Sequence, residues 1–356
     1  MATFNWRRIP KRFAVYALAL LAVALLPFWN GPRPGTVSLR GSPEEMGRQY
    51  GTACNWSIPL LCRVYLKRVL CGNNAQVLAQ QRQRALALAP HVDGRILREL
   101  RATGQAAGVD EGLLLLGNSF IDLGCYGGAC RSLVWNRPAA DGGLLHGHNL
   151  DWDNLAGLAD WTVTILRRVP TDGRYRTVAI AMPGVLGALD IINDHGVALS
   201  LNQVGFGRPE TAAEPGFLML RRVAENCATY AAARTELLKV SPHLPFLITL
   251  SSAREGRAGV FEPFDGGMRE RTWAGDRLCA TNDIWGRNDV QDTVATTVRQ
   301  AELRTLADVR RLLAADGVLL ACNIYSVVFD FTGNRLYLAS GRMPAAKRPA
   351  REFTLF

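Results

Sequence analysis

The chain has 356 residues, 48% of them hydrophobic and 20% charged, with a net charge of +10 and a mean hydropathy of +0.03. That length allows one large domain or two ordinary ones, and the balance excludes a disordered or low-complexity protein. The positive charge does not make a nucleic-acid binder: it sits on scattered arginines, only four residues are lysine, and no nucleic-acid motif accompanies them.

At the N-terminus, Arg7, Arg8, Lys11 and Arg12 precede Phe13–Trp29, a run of 17 residues without a charge. Such a run behind a basic flank is a signal sequence or a membrane anchor, with the flank kept in the cytoplasm. It exits through "WNGPRP" with no small-x-small cleavage site, so an uncleaved anchor is expected, with 1–35 serving as basic flank, transmembrane segment and linker. The remainder is then expected outside the cytoplasm, on the periplasmic or extracellular side. Arg342, Lys347, Arg348 and Arg351 make a basic tail suited to anionic lipid. Eight cysteines in an exported chain permit disulfides, and Cys62 and Cys71 are close enough in sequence to pair. No CxxC pair occurs, so no structural zinc site is expected.

Residues 36–129 read as a helical segment. From Glu44 to about Ala107, stretches such as "IPLLCRVYLKRVL" and "RILRELRATGQAAG" carry apolar residues at three- and four-residue spacing, which predicts three or four amphipathic helices. From Cys130 the period changes. "RSLVWN", "GLLHGHNLDW", "WTVTILRRV", "TVAIAMP", "ALDIIND" and "GVALSLNQVG" read as successive strands of an antiparallel meander, separated by Gly, Asp and Pro turns. Residues 216–239 predict a helix, "FLITLSS" and "AGVFEP" strands, "TTVRQAELRTLADVRRLLAAD" a second helix, and "NIYSVVFDFTGNRLYLASG" a closing hairpin. Helices interleaved with antiparallel strands predict an α+β layered domain over 130–356.

Residues 128–153, "GACRSLVWNRPAADGGLLHGHNLDWD", concentrate a cysteine, two histidines and two aspartates. As metal ligands, His146, His148, Asp151 and Asp153 have the donor types of a divalent-metal hydrolase. On a strand, however, His146 and His148 share a face while Asp151 points away, and His91, His195 and His243 form no second cluster. As a nucleophile, Cys130 stands where the glycine-rich "GCYGGA" enters a predicted strand. A thiolate needs a base, and the cysteine's own α-amino group, with a pKa near about 8, serves if the Ala129–Cys130 bond is cut. A thiol beside its own preceding carbonyl can make that cut and so supply nucleophile and base in one residue. The third reading is structural, with Cys130 a core cysteine in a polar hairpin.

The segment from about Arg40 to Ser340 resembles the N-terminal-nucleophile (Ntn) hydrolases of the choloylglycine hydrolase, acid-ceramidase-like amidase and penicillin acyltransferase group. Cys130-Arg131-Ser132 stands where that group opens its first strand with cysteine, and "HGHNLD" at 146–151 is similar to its "HGRNLD". "GVALSLNQVG" and "CATNDIW" resemble its two asparagine-bearing strands. The resemblance implies a four-layer αββα sandwich with antiparallel sheets, acting without a cofactor. It implies Cys130 as nucleophile with its freed amine as base, Asp151 holding that amine, and Asn282 with Asn202 donating to the oxyanion. The activity implied is hydrolysis of, or acyl transfer from, a linear amide of a small N-acyl compound, lipid-like if the anchor is a guide, by two self-cleavage fragments that stay associated. His148 replaces the group's arginine with a charge that titrates near about pH 6.5, and Arg131 is expected on the opposite strand face. The alternatives are a metal-dependent hydrolase using His146, His148 and Asp151, or an unprocessed, inactive member.

Overall fold

The computed structural model describes residues 35–124, 128–137, 143–152, 163–204, 212–264, 266–272, 275–283 and 290–356. The anchor expected within residues 1–35 therefore lies, up to residue 34, outside the described residues, as do Cys125 and Asp153. Among the described residues no helix is long and apolar enough to cross a membrane.

In chain order the strands are β1 (Gly35–Gly41), β2 (Gly128–Asn136), β3 (Leu144–Trp152), β4 (Thr164–Pro170), β5 (Thr177–Ala181), β6 (Asp190–Asn193) and β7 (Val197–Gln203). They continue as β8 (Phe246–Ser252), β9 (Arg257–Phe264), β10 (Gly267–Thr272), β11 (Arg277–Ala280), β12 (Asn323–Asp330), β13 (Arg335–Ser340) and β14 (Arg351–Thr354). One sheet has the order β1-β4-β5-β6-β7-β8-β9-β10 and the other β11-β2-β3-β12-β13-β14. The expected meander is therefore divided: β2 and β3 lie in the smaller sheet, and from β4 the chain builds the larger one. One pair departs from the antiparallel expectation, because β1 runs parallel to β4.

The sheets stack face to face, joined by polar pairs such as Ser132–Asn202 and Tyr325–Asp190. Helices Pro43–Ala53, Gly216–Asn226 and Tyr230–Leu237 cover the larger sheet, and Val290–Gln300 and Leu306–Leu313 cover the smaller. This is the four-layer αββα arrangement. Being covered on both faces explains why β3, β7, β8 and β12 are buried along their whole length. On the outer side of the smaller sheet, Leu133, Trp135 and Leu145 pack against Val309 and Leu313, and each such side chain buried contributes roughly 1.5–3 kcal/mol.

Two helices expected as single runs are broken. Residues 216–239 divide at Cys227, where the Thr229 hydroxyl accepts from the Ala232 N–H and starts a new helix. The helix expected within 296–316 divides at Thr305, whose capping box with Asp308 does the same. A capping side chain satisfies helix N–H groups that would otherwise lack partners, so a Thr followed by Asp at the third position favours a fresh start. The helix Glu111–Ser119 was not anticipated. The Cys62–Cys71 disulfide does not form: both are free and buried, Cys62 facing the apolar cleft described below.

Candidate active site

The register of β2 and β3 builds the site. Cys130 pairs with Leu150, Ser132 with His148 and Val134 with His146, and paired residues share a face, so these side chains point into the space between the sheets. The alternate pairs, Ala129 with Asp151 and Arg131 with Asn149, belong to the other face. β2 begins at Gly128, two residues ahead of Cys130, so the nucleophile candidate sits inside a continuous strand. Only glycine fits that start: a Cβ on Gly128 would lie 2.2 Å from the Trp152 ring.

Cys130 is buried, and its backbone N–H donates to Asn282 Oδ1 at 2.9 Å. The strand period sends Arg131 away, yet its guanidinium folds back: Nη1 donates to Asn282 Oδ1 at 2.6 Å and to the Cys130 carbonyl at 2.8 Å. The long side chain overrides the alternation that places its Cβ. Asn282 Nδ2 donates to the Gln203 carbonyl at 2.6 Å. Asn202 Oδ1 accepts from Ser132 Oγ at 2.6 Å, while its Nδ2 points to the Ala280 carbonyl at 3.4 Å. Each asparagine NH2 has two hydrogens, and the protein engages one.

His148 Nδ1 lies 2.9 Å from Asp190 Oδ2, and both side chains are fully buried. Burial works against a charge on His148, but the Asp190 carboxylate and the neighbouring Cys130 thiol outweigh it and raise its pKa well above the ordinary histidine value. Burial would likewise raise Asp190, yet His148 and the hydrogen bonds from Ser200 and Tyr325 hold it below the usual carboxylate value. The Tyr325 hydroxyl donates to Asp190 Oδ2 at 2.6 Å, and Ser200 Oγ donates to Oδ1. Asp190 thus orients the His148 ring and makes it more basic, and the titration expected near pH 6.5 moves upward.

His146 behaves oppositely. Its ring nitrogens each lie 2.8 Å from a hydroxyl, Ser251 and Ser200, and burial lowers its pKa to about 4, so it is neutral. With both nitrogens engaged, and with Asp151 leaving from the other face of β3, the three proposed metal ligands do not converge. Among the described residues no group of three His, Cys, Asp or Glu is placed to hold a metal ion.

Asp151 is fully buried; its Oδ1 accepts from Asn323 Nδ2 at 2.8 Å, and its Oδ2 has no partner. Burial pushes its pKa up to about 6, against the pull of Asn323, Arg131 and His148. In the continuous chain Asp151 makes no bond to the Cys130 N–H, which Asn282 takes.

Beside Leu150 opens an apolar cleft lined by Leu61, Leu66, Phe120, Leu150, Trp152 and Phe217 among others. The site residues that sequence reasoning missed are Asp190, Tyr325 and Asn323. Their one signal was polarity inside apolar strands, "ALDIIND" and "NIYSVVFDF".

No protein-family model and no curated protein matches the sequence. Among solved structures, the chain is similar to a Caenorhabditis elegans ortholog of N-acylethanolamine-hydrolyzing acid amidase, at 20% identity and a TM-score of 0.47, covering 57% of this chain and 93% of that one. It is also similar to a C2A mutant of conjugated bile acid hydrolase from Clostridium perfringens, at 11% identity and 0.46, covering 63% and 92%. A third is penicillin V acylase from Agrobacterium tumefaciens, at 13% identity and 0.42, covering 59% and 83%.

Proposed function

We propose that the chain is a cysteine Ntn amidase or acyltransferase that cuts itself between Ala129 and Cys130 and then acts on an N-acyl amide through a thioester on Cys130. The observation that carries this reading is the environment of the Cys130 nitrogen. It is held by Asn282 at 2.9 Å, while Asp151, at the ladder position paired with Ala129, keeps one buried oxygen without a partner. A buried carboxylate oxygen left open is costly, and a new ammonium at Cys130 would satisfy it.

In this mechanism the freed amine accepts the thiol proton, and the thiolate attacks the amide carbon. The spare hydrogens of Asn282 and Asn202 Nδ2 receive the oxyanion, each worth about 3–4 kcal/mol in a preorganised site. Collapse expels the amine, which takes the proton back from the Cys130 ammonium, and water or a second amine resolves the thioester. The apolar cleft beside Leu150 suits an aliphatic or aryl acyl group. The N-terminal apolar run would anchor the enzyme, with the catalytic part outside the cytoplasm and within reach of lipid-like amides.

The test is the mass of the purified protein. Fragments of 129 and 227 residues that co-purify are expected. Cys130→Ala should give one intact, inactive chain, and Cys130→Ser partial cutting with strongly reduced turnover, because thiolate is the better nucleophile. Full activity from an unbroken chain would sink the reading.

A further inference from the structure

Self-cleavage must begin before the α-amine of Cys130 exists, so in the uncut chain another group has to take the thiol proton. We propose that His148, oriented by Asp190, is that base, so that Cys130, His148 and Asp190 form a nucleophile–base–carboxylate relay that starts self-processing. The inference rests on the reading of Cys130 as a self-processing nucleophile.

Cys130 and His148 project from neighbouring strands into the same inter-sheet space, two pairs apart on the ladder, a diagonal separation that side chains of this length span. Asp190 occupies Nδ1, which leaves Nε2 as the available nitrogen; it is buried and has no hydrogen-bond partner among the described residues. The Cys130 thiol is the group acting on that ring from β2. Asp190 is in turn fixed by Ser200 and by Tyr325. A nucleophile, a base beside it and a third group orienting the base are the parts that activate a cysteine on unrelated folds. The other candidates are otherwise engaged. His146 has both nitrogens on serine hydroxyls, and Asp151 belongs to the opposite face of β3.

The step balances as follows. The Cys130 thiol gives its proton to His148 Nε2, and the thiolate adds to the Ala129 carbonyl carbon, forming a C–S bond and an oxyanion. Collapse breaks the C–N bond, and the Cys130 nitrogen takes the proton back from His148, leaving a thioester and a free amine. Water then adds to the thioester carbon and the C–S bond breaks; one water proton returns the thiol, the other goes to the new amine, and a carboxylate is left on Ala129. One water is consumed and nothing is oxidised.

The experiment follows conversion of the full-length chain into its two fragments. His148→Gln and Asp190→Asn should each slow cutting at least about 100-fold, the usual range for loss of a general base, while melting as folded proteins. The titratable groups that face His148 are Asp190 from β6, Cys130 from β2 and His146 from its own strand, with Asp151 acting on it from the opposite face of β3 and Tyr325 of β12 bonded to Asp190. Loss of the Asp190 charge lowers the proton affinity of His148, so in Asp190→Asn the rising limb of cutting rate against pH should move to lower pH. A merely structural role would not move it, and this readout stands alone if His148→Gln does not fold. Wild-type cutting, an intact Cys130→Ala chain, and both variants cutting within about threefold of wild type with an unmoved limb would overturn the relay alone. A wild-type chain that stays whole would overturn the self-processing reading and the relay with it.

Discussion

Asp151 makes the site expensive. Its carboxyl is buried with one oxygen unbonded, and its pKa is raised from 3.8 to about 6. A raised folded-state value means that the neutral carboxyl is the favoured form. Its stabilising contribution is complete below 3.8 and is lost as pH rises through about 6. In the uncut Cys130→Ala chain, Asp151→Asn should therefore raise the melting temperature a few degrees at neutral pH, with the gap closing on acidification below about 6, while in the chain that keeps Cys130 it should lower fragment formation and turnover at least about 100-fold. Thermal melts across pH together with an activity assay check both halves; a variant less stable at neutral pH would contradict the account. At this scale the sequence told a good deal. Cys130, His148, Asp151, Asn202 and Asn282 are brought to one neighbourhood, because short ladder offsets and motif spacing are local information. Asp190, Tyr325 and Asn323 were not legible, since the partner of a buried charge is chosen across the gap between two sheets. For the same reason the sequence placed His148 in the ordinary histidine range, where Asp190 does not let it stay.

Between elements, the segment before the cut is held to the rest by a buried ion cluster. Glu99, on helix Gly94–Ala107, binds Arg221 on helix Gly216–Asn226 and Arg168 on β4, and Arg221 also binds Glu225 at 2.7 Å. Burial alone would neutralise Glu99, but the two arginines hold it charged. The helix Pro43–Ala53 packs on the same helix so closely that a Cβ on Gly47 would lie 2.3 Å from the Glu99 carbonyl oxygen. These contacts are the means by which two fragments would stay together without a peptide bond. Glu99→Ala leaves the buried Arg168 guanidinium without its carboxylate and Arg221 with the Glu225 carboxylate alone and should cost about 3–5 kcal/mol, so size-exclusion chromatography should find the 129-residue fragment separating from the 227-residue one, where the unmutated pair is expected to stay together. Periodicity located the helices and most strands but not their breaks at Thr229 and Thr305, because a cap can interrupt an apolar stripe without altering its average.

Across the whole molecule, the long-range pairing that sequence could not supply is that of β1 with β4. Period-2 alternation identifies a strand but not a partner more than a hundred residues away. The pairing has a practical consequence, since β1 completes one edge of the larger sheet and buries Leu39. Deleting 1–33 leaves β1 whole and should yield soluble, active enzyme, whereas deleting 1–41 removes it and should abolish soluble yield. Comparable activity from the two truncations would show that the edge strand is dispensable.

Under the proposed self-cleavage, the two residues of β2 ahead of Cys130 would make the uncut chain a zymogen of a particular kind. Gly128 and Ala129 fill about 7 Å of strand, closed in by Trp152 and by Gln203, whose Oε1 accepts the Gly128 N–H at 3.0 Å. A molecule plugged by its own backbone needs no activating protease. Nucleophile and target are covalent neighbours, so activation by self-cleavage would be first order, timed from the completion of folding and unaffected by how many other copies surround it.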